Sequence, residues 1–300
     1  MERYIGELAA LATAVCWTAT AMFFESAGRR VGSLPVNVIR LGLAFVFFCV
    51  FGFVARGLPL PSDATPHAWL WLSASGVVGF TLGDLCLFRA WVLLGARLAS
   101  QVMALVPVIT ALGAVVFLSE RLAWLQWLGV LITTGGVFWV ATERVSGSGP
   151  RPERPSRVGL LLALGGAVGQ AGGLVLSKYG LEGYSAFAGT HIRVMAGLAG
   201  FLVICAVARL FGPVAAALRD RRAMLHTSLG AVFGPFLGVG LSLLAVQHAP
   251  AGVAATLMAL TPVLVTAAVA LVRKERISLR GWLGAALAVS GSAMLFLAPR

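Results

Sequence analysis

Apolar stretches, each about 20 residues long and separated by short charged joints, constrain this chain more than any other feature. A helix of that length crosses a hydrocarbon core of roughly 30 Å. Only 11% of the residues are charged and 59% are hydrophobic, whereas a soluble domain carries roughly 25% charged residues. A water-soluble core of this apolarity would need a polar shell that the sequence lacks. The natural solvent is the lipid interior.

The pattern predicts an all-α integral membrane protein with ten transmembrane helices, at 4–24, 35–55, 69–88, 98–118, 122–142, 157–177, 186–208, 225–246, 251–272 and 278–298. Leu34-Pro35, Leu58-Pro59-Leu60-Pro61 and Ala249-Pro250 mark joints. The N-terminal stretch lacks a basic region and a small-residue cleavage site, so it reads as the first span and not as a cleaved signal. Gly, Ser and Pro are concentrated near the midpoint, where they prevent both helix and core. This gives a first unit at 1–145, a linker at 146–156 and a second unit at 157–300.

The two units are copies. Met103-Ala104-Leu105-Val106-Pro107-Val108 recurs as Met258-Ala259-Leu260-Thr261-Pro262-Val263, an offset of 155. At the same offset Glu120-Arg121 matches Glu275-Arg276, Trp127-Leu128-Gly129 matches Trp282-Leu283-Gly284, and Gly136 matches Gly291. The ladder Ser75, Gly79, Gly83 matches Gly230, Gly234, Gly238. Earlier in each half the offset is 153, so that Gly6 matches Gly159 and Ile39-Arg40 matches Ile192-Arg193. An odd number of spans per copy forces the second copy into the membrane upside down. Inverted repeats are an architecture of transporters, with the substrate site where the halves meet.

Charge sets the orientation. Sixteen Lys and Arg residues fall on one side: Arg29, Arg30, Arg89, Arg97, Arg144, Arg151, Arg154, Arg157, Arg209, Arg219, Arg221, Arg222, Arg273, Lys274, Arg276 and Arg280. Five fall on the other: Arg3, Arg56, Arg121, Lys178 and Arg300. The positive-inside rule then puts both termini outside the cytoplasm, in a multi-pass protein of the plasma (inner) membrane. The net charge of +12 lies in these joints and forms no basic stripe of the kind that binds nucleic acid. Cys16, Cys49, Cys86 and Cys205 lie in apolar segments without metal-ligand spacing. No metal, cofactor or nucleic-acid partner is expected. The expected partners are lipid and a small-molecule substrate, and the expected assembly is a monomer or homodimer.

MALVPV followed by SERLAWLQWLG, and MALTPV followed by RKERISLRGWLG, resemble the EamA-type family of the drug/metabolite transporter superfamily. The likeness runs over nearly the whole chain. It implies ten helices around a central cavity lined mainly by the first four of each half, with the fifth helices at the periphery. It also implies a secondary transporter or exporter of small metabolites, such as amino acids, related compounds or drugs.

Several residues are candidates for the cavity. Arg40 and Arg193 are repeat mates inside spans, where charge is costly and faces a cavity or partner. Together they suit a carboxylate or phosphate, or else serve in structural ion pairs. Asp84 breaks the symmetry, since its mate is Val239; it reads as a counter-ion to Arg40, a partner of Arg89 or a proton-coupling acid. Trp17 and Gln170 are mates, as are Gln101 and Thr256, and His191 precedes Arg193 by two residues. Each can orient a ligand or simply pack. Pro107 and Pro262 remove a helix hydrogen bond at mid-span and suit a hinge or a static kink. Glu25 and Lys178 read as interface or gate charges. No nucleophile with a base, no metal cluster and no paired acids support an integral-membrane enzyme, and no filter motif supports a channel; catalytic residues are not expected.

Overall fold

The computed structural model describes residues 4–142, 156–273 and 279–298. Most of the linker and the turn containing Glu275-Arg276 lie outside them. Every regular element among the described residues is helical. The first half contains α1 (Ile5–Val31), α2 (Ser33–Arg56), α3 (Pro66–Gly76), a π-helical segment π1 (Val77–Gly83), α4 (Asp84–Met103), α5 (Val106–Leu118) and α6 (Trp124–Thr142). The second contains α7 (Arg157–Leu181), α8 (Ala186–Val207), the short α9 (Phe211–Ala217), α10 (Arg221–Ala231), π2 (Val232–Gly238), α11 (Val239–His248), α12 (Ala251–Met258), α13 (Thr261–Arg273) and α14 (Leu279–Leu297).

Among the described residues, eight helical stretches are long and apolar enough to cross a membrane. The two expected spans that do not form one unbroken helix are 98–118 and 251–272. Each is interrupted two residues before its proline, at Ala104-Leu105 and Ala259-Leu260. A proline ring clashes with the carbonyl four residues back and offers no N–H. For Pro107 and Pro262 those carbonyls belong to Met103 and Met258, where α4 and α12 end.

The exterior is what lipid requires. Val54, Phe117 and Val207 expose 78%, 76% and 82% of their surface, while Thr13, Ser75, Thr110, Thr133, Ser177 and Thr256 are fully buried. With no hydrophobic drive between helices in hydrocarbon, packing relies on small residues that let backbones approach closely.

Those approaches come in symmetric pairs. Helices α6 and α14, the fifth of each half, pack against each other. A Cβ at Gly129 would lie 3.0 Å from the Gly291 carbonyl oxygen, and one at Gly136 would lie 2.8 Å from that of Gly284. Gly129 and Gly284 are repeat mates, and so are Gly136 and Gly291. The second contact is therefore the first, rotated by a pseudo-two-fold axis. The same relation links α1 against π2 to α7 against π1. A Cβ at Gly234 would meet Thr20, and one at Gly173 would meet Gly79. The π segments themselves are mates, residue for residue. At one end of the bundle Asp220 caps α10, accepting from the backbone N–H groups of Arg222 and Ala223, and pairs with Arg30 at the end of α1. The Ala223 N–H and the Arg30 guanidinium hold its carboxyl below the usual carboxylate range.

These contacts predict a sharp difference between neighbouring glycines. Gly136→Val should destabilise the fold by about 1–3 kcal/mol through overpacking. Gly135→Val, where a Cβ meets nothing within 4 Å, should leave stability unchanged. Thermal unfolding of the two variants in detergent measures the contrast.

Candidate functional site

The interrupted helices and the π segments surround a cavity of about 420 Å³ at mid-bundle. Both halves contribute. Trp17, Arg40, Asp84 and Val137 come from the first, and Gln170, Arg193, Val239, Met258 and Pro262 from the second. Five of the residues singled out from the sequence thus meet here: Trp17, Arg40, Asp84, Gln170 and Arg193. Of the two hinge prolines, Pro262 lines the cavity, while Pro107 is buried at the start of α5. Gln101 lies on α4, but its side chain is outside the described residues.

His191 is not part of this group. Its ring stacks on Phe48 at 5.6 Å and lies 5.4 Å from Phe45, with Nε2 3.8 Å from the Cys49 Sγ. Two residues along a helix are turned about 200° from each other. With Arg193 directed at the cavity, His191 is directed at α2. Thr256 is also absent from the lining; its hydroxyl donates to the Gly252 carbonyl of its own helix.

The charges divide unequally. Arg40 donates from Nη2 to Asp84 Oδ2, and Gln170 Nε2 donates to Asp84 Oδ1 at 2.9 Å. The acid is 6% exposed and is satisfied from both halves of the molecule. It is the counter-ion of Arg40; Arg89 is exposed and takes no part. The Arg40 guanidinium also lies 5.4 Å from the centroid of the Phe24 ring. Arg193 is 5% exposed and sits 5.0 Å over Phe80. Its guanidinium makes no hydrogen bond to any described residue, and its Nε is fully buried. Phe24 and Phe80 were not legible as functional from the sequence. The one available signal was that Phe80 lies between Gly79 and Gly83 of the matched ladder and has Pro235 as its repeat mate.

One end of the bundle is tied by polar contacts. Lys178, near the end of α7, reaches Glu120 at 2.6 Å and donates to the Ala249 carbonyl at 2.6 Å. Glu120 in turn accepts from the Ala251 N–H at 2.9 Å. Three turns or helix ends from both halves are thereby tied together. Just below, α5 packs on α12, where Gly252 faces Ala111. Glu25, the mate of Lys178, instead pairs with Arg29 on its own helix.

The family model for the EamA-like transporter family matches the chain twice, over residues 4–142 and 157–297. The chain belongs to the EamA-like transporter family. An EamA-like chain is a multi-pass membrane protein of a transporter class, not of an enzyme class. Among solved structures, one titled "Crystal structure of protein" is similar at 20% identity and a TM-score of 0.76, covering 98% of this chain and 97% of that one. At that identity the likeness speaks to the fold. No curated protein matches this EamA-like chain.

The Arg40–Asp84 pair yields a stability prediction. Asp84→Asn leaves a buried, unpaired cation and should cost about 3–5 kcal/mol. Combining it with Arg40→Gln should recover part of that loss. A double-mutant cycle read by thermal unfolding tests the coupling, and additive losses would mean that the pair contributes no mutual stabilisation.

Proposed function

We propose that this chain is a secondary transporter of small metabolites that works by alternating exposure of the central cavity. The observation that carries the reading is the cavity itself. It lies between two inverted repeats, is lined by both, and is flanked by helices broken at the equivalent positions 104–105 and 259–260. Discontinuous helices at mid-membrane are where transporters of this build hold substrate. In this reading the chain crosses the membrane ten times, with α4–α5 and α12–α13 supplying the two broken crossings.

The Lys178–Glu120 seal and the α5–α12 contact close the cavity on the side of the termini. By the charge asymmetry of the joints that side is the outside. In this reading the arrangement is the state closed to the outside, and the cycle requires α5 to part from α12. Pro107 and Pro262 sit where such a movement would bend the chain.

Two outcomes follow. Reporter fusions after Gly149 should report cytoplasm and fusions after Pro299 the far side; a cytoplasmic C-terminus would overturn the orientation. In a background with the four native cysteines replaced, Glu120→Cys and Lys178→Cys, whose native side chains meet, should, once joined by a bis-methanethiosulfonate linker, stop flux in proteoliposomes, and reduction should restore the flux of the unlinked variant. The flux is scored with a metabolite panel, with and without a pH gradient. Undiminished flux through the cross-linked protein would sink the alternating-access reading.

A further inference from the structure

The described lining residues of the cavity include two arginines and one acid, and the acid is already engaged. Arg40 holds Asp84 Oδ2, and Gln170 holds Oδ1. That leaves Arg193. It is 5% exposed, lines the cavity and makes no hydrogen bond to any described residue. Its neighbours offer a ring face, Phe80 at 5.0 Å, and the glycine backbone of π1; a Cβ at Gly79 would come within 3.3 Å of Nη2. Cation–π contact offsets part of the desolvation of a guanidinium, but it leaves the planar fork of donors unused. A buried polar group without a partner asks for an explanation. In a cavity that both repeats line, the missing partner is the cargo.

We infer that Arg193 binds a single carboxylate of the transported molecule, whose body is apolar and lies against Trp17, Leu174, Val239 and Met258. This inference rests on the transporter reading. It separates the two repeat-mate arginines, which the sequence left as equals. Arg40 is hydrogen-bonded to Asp84, whose charge also acts on Arg193, and the donor fork of Arg193 is completed by the substrate. The charge count selects the class. Two guanidiniums and one carboxylate leave the described lining residues with one net positive charge, which matches a monoanion. A phosphate monoester would bring close to two negative charges at neutral pH, and the second would face Asp84 with no cation free to meet it. The cavity of about 420 Å³ falls in the range that encloses a small ligand. Its wall is mainly apolar, so the body of the ligand gains by burial while the guanidinium fork fixes one end. The carboxylate could belong to a free acid or to a zwitterionic amino acid, and the test separates them.

The purified protein in nanodiscs at pH 7 is titrated by calorimetry with hexanoate, its neutral amide hexanamide, the zwitterion 2-aminohexanoate, the cation hexylamine, and hexyl phosphate. Hexanoate or 2-aminohexanoate should bind at least about tenfold more tightly than hexanamide, and the tighter of the two identifies the source of the carboxylate. Arg193→Gln should abolish this preference while hexanamide binding stays the same. Arg193→Lys, which keeps the charge and loses the fork, should retain a weakened preference. It also serves as the variant of record if the glutamine form does not fold.

Equal binding of acid and amide, tightest binding of hexylamine or hexyl phosphate, a preference that survives Arg193→Gln, or binding of none of the five would overturn the inference. Flux in proteoliposomes keeps the two readings apart. Charge-selective, Arg193-dependent binding without flux of any carboxylate would sink the transporter reading and leave the site standing. Flux of neutral or cationic compounds without acid selectivity would sink the site and leave the transporter.

Discussion

In hydrocarbon, two helices gain nothing by hiding from water, so their association depends on how closely their backbones can approach. The glycines and small hydroxyl residues of this chain set that distance, and the rest of the architecture follows from where they lie. Gly129 against Gly291 and Gly136 against Gly284 join the fifth helices of the two halves. The ladder in π1 fits against α7, and its mate in π2 fits against α1. Because each contact has a rotated twin, the same small set of residues builds both walls of the cavity and keeps them in register.

Within that symmetric frame, the chemistry is asymmetric. Trp17 in one half stands where Gln170 stands in the other, and Asp84 stands where the second half has Val239. These two departures make one functional unit, because Gln170 reaches across the interface to hold Asp84 together with Arg40. The result is one arginine with an ion-pair partner inside the protein and a second with no hydrogen bond to any described residue, while the Nε of each is buried without a partner. The ends of the bundle show a similar inequality. Lys178 and Glu120 fasten the termini side, while the residue matching Lys178 is an acid that pairs within its own helix. The other end is joined by Arg30 and Asp220, so two halves of similar backbone are fastened by different pairs at their two ends.

Much of the fold was legible because lipid imposes simple demands. Apolar length marks the spans, proline marks the breaks, and a repeat of Pro, Glu-Arg and Trp-Leu-Gly in register marks the duplication. The spans that departed from expectation were those holding Pro107 and Pro262, since a mid-span proline turns one long helix into two short arms. The π turns were not legible. Their signal is a glycine ladder, and a ladder of that kind serves an ordinary close-packed helix equally well. His191 shows the limit of counting along a sequence. It lies two residues from Arg193, yet helical geometry turns it to a different neighbour, the aromatic cluster of α2.

The sequence by itself determined the class of solvent, the helical architecture, the two copies and their family, because those depend on composition and spacing that survive any detail of packing. It also singled out Trp17, Arg40, Asp84, Gln170 and Arg193, which line one cavity in the structure, since polar groups in apolar spans are few. Only the tertiary structure decided how they pair. Whether Asp84 meets Arg40, Arg89 or Arg193 depends on which helix faces lie within about 3 Å of one another. That distance is fixed by glycine contacts far apart in the chain. The ion pair of one arginine and the unbonded donors of the other are consequences of that packing.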